Sequence, residues 1–167
     1  MIRVMSFGAV PPELQEQFER RRKEVFIDGM GWGLRHDGGR ERDQFDGPGA
    51  QLLVAGEPPA FAMRIIHERL CMVRVLWPMA AHHLVPGSRE MSRWVAMRRG
   101  VRLEETRALV REMISEFRGR GWLDMFSVAT DKVARAHRVM GMEPQQVVRM
   151  GPDINLCKWD LREGAAG

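Results

Sequence analysis

LEETRALVREMISEFRGRGWLDMFSVATDKVARAHRVMGM, residues 103–142, changes hydrophobic period twice along its length. From Leu103 to Phe117 the residues Leu103, Leu109, Val110, Met113, Ile114 and Phe117 share one helical face. Glu104 and Glu105 occupy the first turn and Gly119 lies just past the end, which predicts a helix over 103–117. Trp122 to Ala129 then reads as a strand, and Asp131 to Met140 as a second helix, capped by Thr130 and stopped by Gly141. Working outward, QQVVRM (145–150) and INLCKWD (154–160) close the chain as strands. Upstream, the apolar runs 50–56 and 60–66 flank Glu57-Pro58-Pro59 as two joined strands, and Met91 to Met97 is a further strand. Pro12 to Phe26 puts Leu14, Phe18, Val25 and Phe26 on one face of an amphipathic helix. Helices interspersed among strands make the fold class α/β, a three-layer α/β/α sandwich with a mixed sheet.

The chain has 167 residues, enough for one domain, and its 44% hydrophobic and 29% charged residues exclude disordered and low-complexity classes. No run approaches the ~18 apolar residues of a membrane span, and the start MIRVMSFGAVPPELQ has no signal-peptide pattern, so a cytoplasmic location is expected. Cys71 and Cys157 belong to no CxxC or Cys/His cluster, which argues against a disulfide framework and a zinc site; no metal is expected. The net charge of +4 comes almost wholly from arginine, with Lys23, Lys132 and Lys158 the only lysines. That balance fits either genomic base composition or an anionic partner.

Between the first helix and the first strands, IDGMGWGLRHDGGRERDQFDGPGA has seven glycines and no apolar period. A structureless loop of this length is uncommon unless it is a lid or a binding segment; disorder is the alternative. It holds Glu41, Asp43 and Asp46, which are either solvated or gathered to accept protons or bind cations. Arg22 falls four residues from both Phe18 and Phe26, so its head points inward, where a guanidinium needs a carboxylate or phosphate or must snorkel to water. Arg64 and Arg93 lie within strands, where a charged residue taken alone ordinarily faces solvent, but two such arginines together with Arg22 change that weighing. Trp32 is either a hydrophobic anchor or an aromatic face for a cation. The five histidines, at 36, 67, 82, 83 and 137, form no ligand or triad spacing and read as structural.

Taken in order, Arg22-x-x-x-Phe26, Trp32, Glu41-x-Asp43-x-x-Asp46, Arg64 and Glu90-x-x-Arg93 resemble the acyl-homoserine-lactone synthases, the LuxI-type autoinducer synthases of quorum sensing. GWLDMFSVATDKVARAHRVMGM is similar to the family's strand and helix that end at a glycine. The resemblance implies a GCN5-related acetyltransferase-like fold for a single domain over 1–167, with a mobile substrate loop at about 28–49. It implies transfer of an acyl chain from acyl carrier protein or acyl-CoA to the amine of S-adenosylmethionine, then lactonisation with release of methylthioadenosine. S-adenosylmethionine is a substrate, so no cofactor is implied. Glu41 and Asp43 are the candidate bases, and Arg93 a candidate oxyanion donor. Arg22, Phe26 and Trp32 are candidates for substrate contacts, with Asp46, Arg64 and Glu90 fixing the loop through ion pairs. Ser127 falls where the family carries a small or hydroxyl residue associated with 3-oxo acyl chains. Arg98, Arg99, Arg102, Arg135 and Arg138 are candidates for docking an acidic carrier protein. The segment after Arg64 departs from the family in lacking Leu-Pro-Thr, and the chain is shorter than the family commonly runs.

Two other classes compete. An ordinary GCN5-related N-acyltransferase acting on another amine would carry a glycine-rich pyrophosphate loop, which does not precede Leu103. A nucleic-acid-binding module would need an arginine-rich recognition helix with interleaved aromatics, and none is present, so neither nucleic acid nor membrane is an expected partner.

Overall fold

A computed structural model of the chain describes residues 1–162, so the last five residues of the expected domain lie outside it. The strands are β1 (Ile2–Ser6), β2 (His36–Asp37), β3 (Arg40–Glu41), β4 (Ala50–Ala55), β5 (Phe61–His67), β6 (Arg89–Ala96), β7 (Asp124–Ala129), β8 (Gln145–Gly151) and β9 (Ile154–Asp160). The helices are α1 (Pro12–Arg22), α2 (Met72–Leu76), α3 (Leu103–Gly119) and α4 (Asp131–Val139). Seven strands form one sheet in the order β1-β4-β5-β6-β7-β9-β8, antiparallel except for the parallel pair β6 and β7 that α3 connects. β2 and β3 form a separate two-stranded hairpin.

Both faces of the sheet are covered, as the α/β/α expectation requires. On one face α1 packs through Phe18 against Leu52, Val54, Ala62 and Val95. On the other, α3 packs Leu109, Val110, Met113 and Phe117 against Leu53, Phe61, Met63 and Met91, with Ala134 of α4 in the same cluster. Double coverage explains why β5 is buried from Phe61 to Ile66 with no alternation of buried and exposed positions, Arg64 being its one buried charge.

α3, β7 and α4 agree with the sequence reading to within two residues, and the Thr130 side chain accepts the Val133 N–H as expected of an N-cap. The first helix is regular only to Arg22 and continues as a π-helical turn over Lys23–Gly29. Periodicity did not announce β1, or the helical turns α2 and Pro78–His83, because pieces of five or six residues hold too few apolar positions to define a period. Among the described residues no helix is long and apolar enough to cross a membrane.

Candidate active site

The segment after α1 is held by its own turns. Gly31, at φ 70°, folds the chain back so that the Trp32 N–H donates to Phe26 O at 2.9 Å. The two rings stack with centroids 5.0 Å apart. The π-helical turn is what aims Phe26 at this position, a distortion often found where a helix meets a functional site. Gly38 and Gly39, both at positive φ, make the two-residue turn of the β2–β3 hairpin and bring Glu41 beneath α1. Asp43 and Asp46 then lock each other: the Asp43 N–H donates to Asp46 Oδ2 at 2.8 Å, and the Asp46 N–H to Asp43 O at 3.1 Å. Residues 28–49 are therefore a hairpin and a tight acidic turn, where the sequence suggested a loop without structure.

Three arginines meet these carboxylates. Arg22, fully buried, bonds Glu41 through Nε and Asp46 Oδ1 through Nη1 at 2.8 Å, with Nη2 3.7 Å from Asp43 Oδ2. Arg64, also fully buried, donates from Nη1 to Asp43 and to Asp46 Oδ1, the latter at 2.9 Å, and from Nε to Ser92 Oγ at 3.1 Å. Arg93 Nη2 lies 3.0 Å from Asp43 Oδ2, and its guanidinium sits 5.5 Å from the Phe26 ring and 5.9 Å from Trp32. The inward reading of Arg22 holds. Arg64 and Arg93 depart from the solvent-facing habit of charges in strands, because each finds carboxylate partners inside the protein.

Arg93 reaches this cluster through a defect in its strand. The register runs Arg64↔Ser92 and then Ala62↔Val95, so β6 carries one extra residue against β5. Arg93 occupies the bulge at φ 55°. In an unbroken strand Ser92 and Arg93 would face opposite sides. With the bulge both point toward α1, and Trp94 turns to the α3/α4 face.

The electrostatics follow from burial and pairing. Burial alone would lower the Arg22 pKa, yet the bonds and charges of Asp46 and Glu41 raise it overall. Asp46, although buried, is held below the ordinary carboxylate range by Arg22 and Arg64. Burial lowers Arg93. Glu90 behaves differently: it accepts the Met72 N–H at 2.8 Å, its Oε1 has no partner among the described residues, and burial pushes its pKa up to about 7 against the pull of Arg64.

The sequence candidates thus fall into three groups. Arg22, Phe26, Trp32, Glu41, Asp43, Asp46, Arg64 and Arg93 form one cluster, with Glu90 beside Arg64. Within it Glu41 is fully buried, with Arg22 and Arg93 against its carboxylate, so it has no face open to a reacting amine; Asp43 retains 15% exposure. The expectation of Glu41 as a base does not fit this geometry. Ser127 stands apart, buried on the α3/α4 side with its Oγ unpaired. Arg98 pairs with Glu105, while Arg99, Arg102, Arg135 and Arg138 are exposed on the β6–α3 connection and on α4. Sequence reading missed Ser92, Phe45, whose ring lies 5.6 Å from the Arg64 guanidinium, and Met72, whose Sδ lies 3.4 Å from Arg64 Nη2.

On the opposite face a cavity of about 350 Å³ opens between β5, β6, the start of α3 and α4, lined by Phe61, Trp94, Val101, Val133, His137 and Met140 among others. β6 and β7 pair only at Arg89↔Met125 and Glu90↔Phe126, so the strands part toward their C-terminal ends between the cavity and the charged cluster.

Neither a protein-family model nor a curated protein sequence matches the chain. Solved structures do. BjaI, a CoA-dependent acyl-homoserine lactone synthase solved with SAM and isopentyl-CoA, superposes with a TM-score of 0.77 at 20% identity, over 98% of this chain and 84% of that one. The acyl-homoserine lactone synthase LasI gives 0.78 at 15% identity over 97% and 90%. The chain has the fold of the acyl-homoserine lactone synthases. An acyl-CoA N-acyltransferase from Pseudomonas aeruginosa shares it more distantly, with a TM-score of 0.59 at 15% identity over 95% and 96%, in agreement with the expected acyltransferase architecture.

Proposed function

We propose that the chain is an acyl-homoserine-lactone synthase of the LuxI type, acting in the cytoplasm on S-adenosylmethionine and an acyl thioester of carrier protein or CoA. The observation that carries this reading is the cluster of Arg22, Arg64 and Arg93 against Glu41, Asp43 and Asp46, roofed by Phe26 and Trp32. S-adenosylmethionine brings a sulfonium, an amine and a carboxylate, which suit an aromatic pair, an acidic group and a guanidinium respectively. Arg22 and Glu41, buried against each other, are positioning residues that hold the 28–49 segment as the substrate loop. Asp43, the partly open carboxylate, takes the amine proton directly or through water, and Glu90, buried beside Arg64, is a positioning residue.

In the first step the amine nitrogen bonds to the thioester carbon, the thiolate leaves, and the surplus amine proton passes to a carboxylate. Arg93 and the backbone N–H groups where β6 and β7 part supply donors for the oxyanion. In the second step the substrate carboxylate attacks the carbon bearing the sulfonium, the C–S bond breaks, and methylthioadenosine departs. Holding these atoms in line supplies most of the acceleration. The donor enters from the cavity face; Arg99, Arg102, Arg135 and Arg138, exposed on the β6–α3 connection and on α4, and Arg98, paired with Glu105, are the candidates for docking a carrier protein or CoA phosphates, and Ser127, buried on the same side of the sheet, is the candidate for a 3-oxo group. Acylation of a different amine is the second reading, favoured by the shared fold of the N-acyltransferase.

Mass spectrometry after incubation with S-adenosylmethionine and a panel of acyl-carrier-protein and acyl-CoA donors tests this. Acylhomoserine lactone with equimolar methylthioadenosine is expected, and its absence with every donor overturns the synthase reading; in parallel reactions with amino acids and other primary amines in place of S-adenosylmethionine, an acylated amine supports the second reading. D43N should lose roughly 10²-fold or more in kcat, the usual scale of acid–base catalysis, while the melting transition stays cooperative.

A further inference from the structure

The α3/α4 face holds a buried polar side chain that the charged cluster does not use. His137, in α4, is 6% exposed and lines the 350 Å³ cavity. Its ring stacks on Trp94 at 5.3 Å and meets the edge of Trp159 at 5.2 Å. Among the described residues Nδ1 is enclosed without a partner and out of reach of a ligand, whereas Nε2 is neither enclosed nor hydrogen-bonded and is the nitrogen open to the cavity. Burial alone pushes its pKa down to about 4, so it is neutral at physiological pH and offers one N–H donor and one acceptor lone pair. Leaving such a group unsatisfied in an apolar wall is costly, and a ring that served only as packing would be better replaced by phenylalanine.

The surroundings specify what a ligand can offer Nε2. The remaining wall residues are apolar or aromatic apart from Thr106, whose hydroxyl already donates to Arg102 O at 3.1 Å. Trp94 follows Arg93 directly and is turned to this face by the same bulge that turns Arg93 to the other, so the cavity adjoins the point where the acyl group must cross to the amine. A ligand there is an apolar arm carrying a single hydrogen-bonding group. Resting on the acyltransferase reading above, we infer that His137 is a specificity-determining residue that hydrogen-bonds an oxygen or amide of the acyl donor, selecting oxygen-bearing or amide-bearing donors over plain alkyl ones. That group belongs either to the acyl chain or to the pantetheine arm.

The test compares four thioester donors with S-adenosylmethionine: plain and 3-oxo acyl chains of equal length, each on pantetheine and on ethanethiol, which lacks the amides. Wild type, H137F, which keeps the aromatic stack, and H137Q, which keeps hydrogen bonding, are compared by kcat/KM and by tryptophan-fluorescence binding of unreactive thioether analogues. Loss in H137F of roughly tenfold in the preference for 3-oxo chains, about the value of one hydrogen bond, identifies the acyl oxygen; the same loss in the preference for pantetheine identifies the arm. H137Q should recover most of either. Equal changes for all four donors in H137F, or no recovery in H137Q, overturn the inference and reduce His137 to packing. No lactone from wild type with any donor instead fails the synthase reading, while the thioether binding still reports whether His137 discriminates.

Discussion

The two faces of the sheet handle polar groups differently: the α1 face pairs charge with charge, even though Arg22 Nη2, Arg93 Nε and Glu90 Oε1 keep no hydrogen-bond partner among the described residues, and the α3/α4 face leaves neutral groups unpaired. Against α1, each of Arg22, Arg64 and Arg93 has a carboxylate within reach, and the positive and negative charges nearly cancel inside the protein. Beneath α4, His137 Nδ1, Ser127 Oγ and Trp159 Nε1 are all buried with no partner among the described residues. A face whose charges are already paired is organised before a ligand arrives, and suits a small ionic molecule that must be oriented. A face with unpaired neutral groups beside an apolar cavity suits a long, weakly polar arm. β6 joins the two, and its single extra residue gives one side chain to each.

The sharpest way to break the contrast is R22A, which strands Glu41 and Asp46 without their buried partner. It should cost about 3–5 kcal/mol and lower the melting temperature by roughly 10 °C or more; a near wild-type melt would mean that the cluster is loosely held. Next comes the pH dependence of Glu90. Its folded pKa of about 7 lies above the ordinary 4.5, so its contribution to stability is present below about 4.5 and is lost as pH rises through 7. E90Q should therefore gain stability relative to wild type between pH 5 and pH 8, measured by chemical denaturation at each pH. A constant difference would remove the buried carboxyl from the account. Asp46, lowered, and His137, lowered to about 4, act in the opposite sense and lose stability on acidification. The smallest effect separates charge from strain at the bulge. R93G and R93A both remove the guanidinium, but glycine tolerates φ 55°, so R93G should be about 1 kcal/mol more stable than R93A, while turnover is lost in both.

Much of the site was legible along the chain because its signals are local. Arg22 lies in register with Phe18 and Phe26, and helix geometry alone turns it inward. Asp43 and Asp46 are three residues apart, just before the turn-forming Gly47-Pro48-Gly49, so their mutual lock is short-range. Arg93 was not legible in the same way: three residues after Glu90, simple alternation places the two on opposite faces, and only the bulge against β5 reverses that. The structural reading of His137 followed from its lack of a ligand spacing, since an unpaired nitrogen is a property of surroundings that come from four distant elements.

By itself the sequence determined the order and type of the longer elements and the residue types that gather at the site, because periodicity, caps and turn chemistry act over a few residues. Tertiary structure decided which carboxylate stays open, which face Arg93 and Trp94 take, and where a cavity remains. Those outcomes depend on strand register and on burial by segments far apart in the chain, and neither is encoded in any one stretch of it.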